Sequence, residues 1–299
     1  MIKIKVDFLG TSCMVPTKDR NHSGYLIRYK TDGILMDCCE GLQRQFKIAK
    51  IKPSKVTKIL ISHWHGDHVL GIPGLMENLS WAGYDKVLEI YGPKGTEKKI
   101  RQLKEIFKSH ISIKFIVKDI HEGIFYENDD YKLEAYELKH SMETFGYRFI
   151  EKDKQKVDLK KAKKLGLEEG PTLGKLLKNK SIKIDGKTIK SENITNIEKG
   201  RIISYISDTK LCKGCYKVAQ DSNLLIAEST YLEDDEVKAE EYNHLTCSQT
   251  SNIAKESNVK SLVLTHFSQR YKEDKDFLKQ AKKIFKNTKC AYDFMNIEL

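Results

Sequence analysis

No apolar run among the 299 residues approaches the ~20 residues that a membrane-spanning helix needs, so an integral helical anchor is excluded. The amino-terminal stretch Ile2-Lys3-Ile4-Lys5-Val6-Asp7-Phe8 alternates apolar and polar residues as a strand does. It lacks the apolar core and small-residue cleavage site of a secretory signal, and a cytoplasmic location without a membrane partner is the expectation. Cysteine is neither dense nor paired: seven are scattered along the chain, two of them adjacent at Cys38 and Cys39. That pattern excludes a secreted disulfide framework and leaves reduced thiols as the default. One Cys-x-x-Cys is present, Cys212-Lys213-Gly214-Cys215, but no second follows to complete a four-thiolate zinc site, so the pair stands outside the candidate site. There is no internal repeat.

Positive charge is in excess. Charged residues make up 32% of the chain and the net charge is +11. Between Glu151 and Lys190 thirteen lysines face six acids, so a short segment carries most of the imbalance. Gly170-Pro171 and Gly174 break that segment into short pieces, which reads as an inserted basic arm. An excess of lysine on such an arm suits a phosphate-bearing partner.

The densest chemistry lies at His63-Trp64-His65-Gly66-Asp67-His68, directly after the apolar run Lys58 to Ile61. On extended backbone His63 and His65 point the same way, because side chains alternate with a period of two. Gly66 permits a sharp turn, after which Asp67 and His68 reach the same pocket from the start of the next helix. Four ligands this crowded cannot easily surround one tetrahedral zinc and leave a position open for substrate, so two metals a few Å apart are the simpler reading.

The remaining ligands must come from elsewhere. Strand-like runs alternate with helical stretches, among them about Gly74 to Ala82 and about Thr96 to Lys108, which makes the chain α/β. Several strands end in polar residues: Tyr131 to Leu138 leads to His140, Arg201 to Ser207 to Asp208, Asn223 to Ala227 to Glu228, and Lys260 to Thr265 to His266. Carboxyl ends of strands are where α/β architectures place their chemistry. His63, His65 and His140 are therefore assigned to one metal, Asp67, His68 and His266 to the other, and Asp208 to the bridge. An imidazole-rich set without thiolate favours zinc, with manganese as a possible substitute. Such ions lower the pKa of bound water toward ~7 and supply a nucleophile. Asp67 also orients that water, and His244, oriented by Glu228, is the candidate general acid for a leaving oxygen.

At this level of detail the chain resembles the short form of the ribonuclease Z (tRNase Z) family of the metallo-β-lactamase superfamily. The resemblance runs from Phe8 to Tyr271. It is carried by Phe8-Leu9-Gly10-Thr11, by Pro16 to Asn21, by the Ser62 to His68 motif continuing through Gly71-Ile72-Pro73-Gly74-Leu75, by His140 before Gly146-Tyr147-Arg148, by Ser207-Asp208-Thr209, Glu228 and His244-Leu245-Thr246, and by Leu264 to Tyr271. The stretches at Arg20-Asn21, Gly71 to Leu75 and His266 to Tyr271 are the family-specific ones. The resemblance implies an αββα four-layer sandwich, a homodimer, and a zinc-dependent endoribonuclease that removes the 3′ trailer of precursor tRNA after the discriminator nucleotide and leaves a 3′-hydroxyl. It further implies that a protruding, flexible exosite at 151–196, inserted in a single domain spanning 1–299, grips the tRNA. Arg20, Asn21, Arg270, Lys175, Gly170 and Pro171 are then substrate-binding candidates, and Asp37 supports the ligands. Cys13, Cys38 and Cys39 stand where small or polar residues are expected.

A hydrolase of small phosphodiesters or thioesters would use the same ligands but has no need of the basic arm. A non-catalytic RNA-binding protein would not need Asp67 and Asp208 together. A di-iron oxygen- or nitric-oxide-reducing protein would carry Glu in place of His65.

Overall fold

The computed structural model describes residues 2–107, 111–167, 170–179, 181–184 and 187–299. The chain divides into two compact units, one of residues 1–128, 132–150 and 202–299, the other of residues 129–131 and 151–201.

The larger unit is built on two seven-stranded sheets. The first runs, in spatial order, Asn296–Glu298, Ile4–Gly10, Gly24–Tyr29, Asp32–Met36, Lys58–Leu60, Val87–Gly92 and Lys114–Asp119. Its pairs are antiparallel as far as Asp32–Met36 and parallel beyond it. The second runs Thr288–Cys290, Leu262–Thr265, Leu224–Glu228, Ile202–Ile206, Glu143–Glu151, Tyr131–Lys139 and Gly123–Glu127, with the first four strands parallel.

Period-two alternation sorts the side chains of each sheet into two layers. Leu9, Leu26, Leu35 and Ile59 point to one face of the first sheet. There they pack with Leu42 and Phe46 of the helix Leu42–Ile48, Leu75 and Leu79 of Ile72–Trp81, and Ile100 of Thr96–Phe107. The opposite face carries aromatic residues that meet the second sheet edge to face: Tyr25 lies 5.1 Å from Tyr205 and Tyr29 lies 5.5 Å from Phe149, centroid to centroid. Helices Lys213–Ala219, Cys247–Glu256 and Lys275–Ile284 cover the far side of the second sheet through Val218, Ile253, Ala254, Phe277 and Ala281. Each large apolar side chain buried this way contributes roughly 1.5–3 kcal/mol. The product is the expected αββα sandwich.

Boundaries shift in instructive ways. The helix expected from about Gly74 begins at Ile72, with Pro73 in its first turn where a missing N–H costs nothing. The strands Lys114–Asp119 and Gly123–Glu127 are absent from the sequence reading, because both are sheet edges whose two faces are partly exposed. The helix Cys247–Glu256 is also absent from it, although Thr246 and Gln249 form a reciprocal capping box that the sequence displays as Thr-x-x-Gln.

The smaller unit contains the segment expected at 151–196 and extends to 201. Strands Lys154–Val157 and Thr195–Glu198 pair antiparallel, as do Ser181–Ile184 and Lys187–Lys190. Asp158 caps the helix Leu159–Lys164 by accepting from the amides of Lys160 and Lys161. Ala162, Leu167, Leu173, Leu176, Ile189 and Ile194 make a small core of the unit's own. Lys175 is exposed on the helix Pro171–Asn179, which begins just after Gly170. Positions 168–169, 180 and 185–186 of the basic segment, and Lys108 at the end of an expected helix, lie outside the described residues. No helix among the described residues is long and apolar enough to cross a membrane.

Candidate metal centre

The ligand motif begins where the strand Lys58–Leu60 ends. The turn expected of Gly66 needs no left-handed backbone: His65 is extended at φ −72° and ψ 148°, and the four-residue helix Gly66–Val69 starts immediately after it. That change of direction turns Asp67 and His68 back toward the pocket. His266, at the end of Leu262–Thr265, does take the left-handed conformation, with φ 58°, as does Asp37 with φ 59°. Non-glycine residues held there store strain of the order of 1 kcal/mol, which the surrounding hydrogen bonds must hold in place.

All seven residues expected as ligands converge. His65 Nδ1 is 2.9 Å from His63 Nε2 and 3.3 Å from His140 Nε2, and Asp208 Oδ2 lies 3.8 Å from His63 Nε2. On the other side His68 Nε2 is 3.3 Å from Asp67 Oδ2 and 3.5 Å from Asp208 Oδ2, while Asp208 Oδ1 is 3.2 Å from His266 Nε2. Asp208 thus stands between a group of His63, His65 and His140 and a group of Asp67, His68 and His266, each with donor atoms within 4.8 Å of one another.

The outer hydrogen bonds fix where the lone pairs point. Asp37 accepts from His68 Nδ1 at 2.8 Å, from Ser62 Oγ at 2.9 Å and from Tyr205 Oη at 2.9 Å, so the bare nitrogen of His68 is Nε2. His140 donates through Nδ1 to the carbonyl of Asn243 at 3.0 Å, which leaves its Nε2 as an acceptor facing the cluster. Thr230 gives its hydroxyl proton to Glu228 at 2.7 Å and so accepts from His266 Nδ1 at 2.9 Å. His266 Nε2 is then a lone pair aimed at the Asp208 carboxylate. Among the described residues His68 Nε2, His266 Nε2 and Asp208 Oδ1 are buried without a hydrogen-bond partner. Acceptors of this kind facing one another repel unless a cation lies between them, and the imidazole and carboxylate set fits a divalent metal ion. The ligands expected from the sequence therefore fit the implied metals.

Electrostatics agree. Burial pushes His63 well below its ordinary range and lowers His65 and His266. Burial also opposes charge on Asp208, yet His266, His68 and His63 outweigh it and hold the carboxyl well down. Burial works against a charged His68 too, but Asp208 and Asp37 hold it well above its usual value. Both shifts record carboxylates crowded against one imidazole, an excess of negative charge that a divalent cation would balance.

A cleft of about 300 Å³ opens onto His65, Asp67, His140, Asp208 and His244. His244 Nδ1 is 3.0 Å from Glu228 Oε1; burial disfavours its charge, but the Glu228 carboxylate prevails and lifts it to about 9. The Thr209 amide donates to the same Glu228 oxygen at 2.8 Å. A larger cleft of about 450 Å³, lined by Phe46, Lys47, Lys50 and Pro53 among others, contains no acid or imidazole and lacks the chemistry.

The other expected site residues lie outside the ligand cluster. The Arg20 guanidinium donates to Thr11 Oγ1 at 2.9 Å and to the Ala291 carbonyl at 2.8 Å, and lies over Phe267. Asn21 donates to the Glu40 carbonyl at 2.8 Å. Arg270 pairs with Asp235 at 3.2 Å over the ring of Tyr231, which in turn neighbours His244. Cys38 and Cys39 are fully buried, and Cys39 Sγ accepts from Asn21 Nδ2 at 3.4 Å. Thr230, Ser62 and Tyr205 escape sequence reasoning: uncharged hydroxyls give no signal until their partners are placed.

Comparison with known proteins places this arrangement. Residues 4–157 match the family described as anti-Pycsar protein Apyc1. That match ends before Asp208, Glu228, His244 and His266. The chain is 37% identical to ribonuclease Z of Methanothermobacter thermautotrophicus over 99% of its own length and 97% of that protein's. It superposes on human tRNase Z, short form, with a TM-score of 0.73 at 26% identity, covering 98% of each chain. The metallo-β-lactamase-fold protein YhfI of Bacillus subtilis gives the same TM-score at 17% identity with complete coverage of both, a likeness of fold alone.

Proposed function

The chain belongs to the ribonuclease Z family and, over residues 4–157, to the family described as anti-Pycsar protein Apyc1, and from that premise we propose how its cluster works. It is an endoribonuclease of tRNA 3′ processing on the metallo-β-lactamase fold. The observation that carries the mechanism is the set of buried acceptors on His68, His266 and Asp208 that lack hydrogen-bond partners. His63, His65 and His140 would hold one zinc and Asp67, His68 and His266 the other, with Asp208 placed between the two groups; manganese would be a possible substitute. Bound there, the two cations would ionise water near neutral pH and neutralise charge on the scissile phosphate.

The side chains do the rest. Asp67, at the mouth of the cleft, orients the attacking water. His244 gives its proton to the leaving 3′ oxygen of the tRNA, while Glu228 holds the imidazole in place and favours its charged form. Thr230 bridges Glu228 and His266, so proton donor and metal ligand share one hydrogen-bonded frame. Arg270 meets RNA phosphates beside the cleft. Arg20 and Asn21, tied into the scaffold, act on the RNA by shaping the loops they anchor. In the smaller unit Lys175 and its fellow lysines contact phosphates without reading sequence, and Gly170-Pro171 let the backbone approach the RNA. The working form is a cytoplasmic homodimer in which the basic unit of one subunit serves the RNA held by the other.

The test is a precursor tRNA transcript with a 3′ trailer, incubated with zinc-loaded protein. Cleavage after the discriminator nucleotide with a 3′-hydroxyl on the tRNA is expected, and a chelator should stop it. Removing residues 155–190 should weaken transcript binding while a small phosphodiester is still hydrolysed. Turnover of the small ester with the intact transcript left uncut by the full chain would overturn the substrate assignment.

A further inference from the structure

Cys212 and Cys215 lie outside everything described so far. Cys212 is the residue before the helix Lys213–Ala219, and its Sγ stands 3.6 Å from that of Cys215, whose amide donates to the Cys212 carbonyl at 3.1 Å. Cys212 is part-exposed and Cys215 is fully buried. Among the described residues no third metal-ligating side chain joins them, so the pair is not the stub of a zinc site. The remaining thiols differ in setting: Cys38, Cys39 and Cys247 are buried, and none of the five has a cysteine partner across a turn.

We propose that Cys212 and Cys215 form a reversible dithiol–disulfide couple, with Cys212 as the attacking thiol and Cys215 as the resolving one, exchanging with low-molecular-weight disulfides. The arrangement supplies what such a couple needs. The attacking cysteine is part-exposed, its partner waits within 4 Å, and closure to ~2.05 Å requires only a small rotation about the side chains. The Cys215 thiol, the Cys215 and Gly214 amides and the Thr209 hydroxyl together lower Cys212 to about 5, whereas hydrogen bonding to Cys212 and burial raise Cys215 well above its usual value. Burial instead pushes Cys247 and Cys290 up to about 12.

The chemistry balances. Cys212 thiolate attacks one sulfur of a disulfide such as oxidised glutathione, breaking that bond and releasing one glutathione thiolate. Cys215, giving up its proton to solvent, then attacks the Cys212 sulfur of the mixed disulfide and expels the second glutathione. Two electrons pass from the cysteine pair to the external disulfide. The couple also borders the active centre: Thr209, whose hydroxyl lies 3.8 Å from Cys212 Sγ, follows the bridging Asp208 in sequence and binds Glu228 through its amide.

Trypsin separates the two cysteines, because Lys210, Lys213 and Lys217 frame the peptides Leu211–Lys213 and Gly214–Lys217. The full chain is equilibrated with graded ratios of oxidised to reduced glutathione, quenched with acid, alkylated and digested. The two peptides should appear joined, lighter by two hydrogens than their sum, in a fraction that follows the glutathione ratio and reverses on reduction. In Cys215→Ser the mixed disulfide should accumulate on Cys212 at least tenfold above any other cysteine, and Cys212→Ser should give neither product. Two separately alkylated peptides across the whole series, or glutathione spread evenly over the cysteines of Cys215→Ser, would overturn the proposal. Neither readout depends on ribonuclease activity.

Discussion

His266 Nε2 faces Asp208 Oδ1 at 3.2 Å, and neither atom carries a hydrogen to share, because the proton of His266 is committed through Nδ1 to Thr230. Two electron pairs held together in a buried site raise the energy of the protein unless a cation lies between them. Saturating zinc should therefore raise the Tm by several degrees and a chelator should reverse the gain, as expected of an ion bound only by the folded state. Asp208→Ala should drop bound metal below two ions per chain and lower cleavage by more than about a hundredfold. Metal analysis of the purified variant decides the point: two firmly held ions in Asp208→Ala would remove the bridge from the scheme.

The proposed general-acid pair, His244 and Glu228, predicts a pH dependence of definite sign. His244 is raised from its ordinary 6.5 to about 9 by Glu228, against the opposing effect of burial. A raised pKa means that the folded state holds this proton more tightly than the unfolded chain does. The pair's contribution to stability, on the order of a few kcal/mol, is thus complete below about pH 6.5 and lost as the pH climbs through about 9. Cleavage should lose its proton donor over the same alkaline range. In Glu228→Gln the carboxylate that lifts His244 is gone, so the alkaline fall in kcat should move toward neutral pH. His244→Gln should lower kcat by about 10²–10⁴ and flatten that limb. A kcat profile unchanged in Glu228→Gln would separate Glu228 from proton transfer.

How much of this was legible beforehand follows from how each feature is encoded. The His63 to His68 motif is local, and strand ends at His140, Asp208 and His266 are marked by an apolar run giving way to a polar residue, so the side chains that cluster could be named from the sequence. Thr230 could not, since its importance lies only in standing between Glu228 and His266. Arg20 shows the same limit: the sequence marks a conspicuous cation in a family-like stretch but not its contacts with Thr11 and the Ala291 carbonyl. Edge strands such as Lys114–Asp119 were invisible because alternation of apolar residues encodes burial on one face, and there both faces meet water in part. The parallel pairing of the sheets was equally hidden, since register arises from contacts distant in sequence.

Gly71 offers the final test, of the link between packing and the metal site. Its φ of −76° suits any residue, so alanine meets no backbone strain there. Space is the obstacle: a Cβ would lie 2.0 Å from the Cys39 carbonyl oxygen and 2.9 Å from that of Cys38, and main-chain atoms cannot rotate aside. The same segment bonds to the ligand helix at both ends, Gly71 N to Cys38 O at 3.0 Å and Cys38 N to His68 O at 2.8 Å, while neighbouring Asp37 orients the His68 ring. Gly71→Ala must push these two segments apart, at a cost of about 1–3 kcal/mol. For a chain of this size that corresponds to a Tm lower by roughly 2–10 °C, and the displaced His68 should weaken zinc binding in parallel. Gly174→Ala is the control: nothing lies within 4 Å of its added Cβ and the residue is helical, so its Tm should hold or rise slightly. Equal melting temperatures for the two variants, with zinc affinity unchanged, would mean that the close approach of Gly71 to Cys39 does not position the ligand helix.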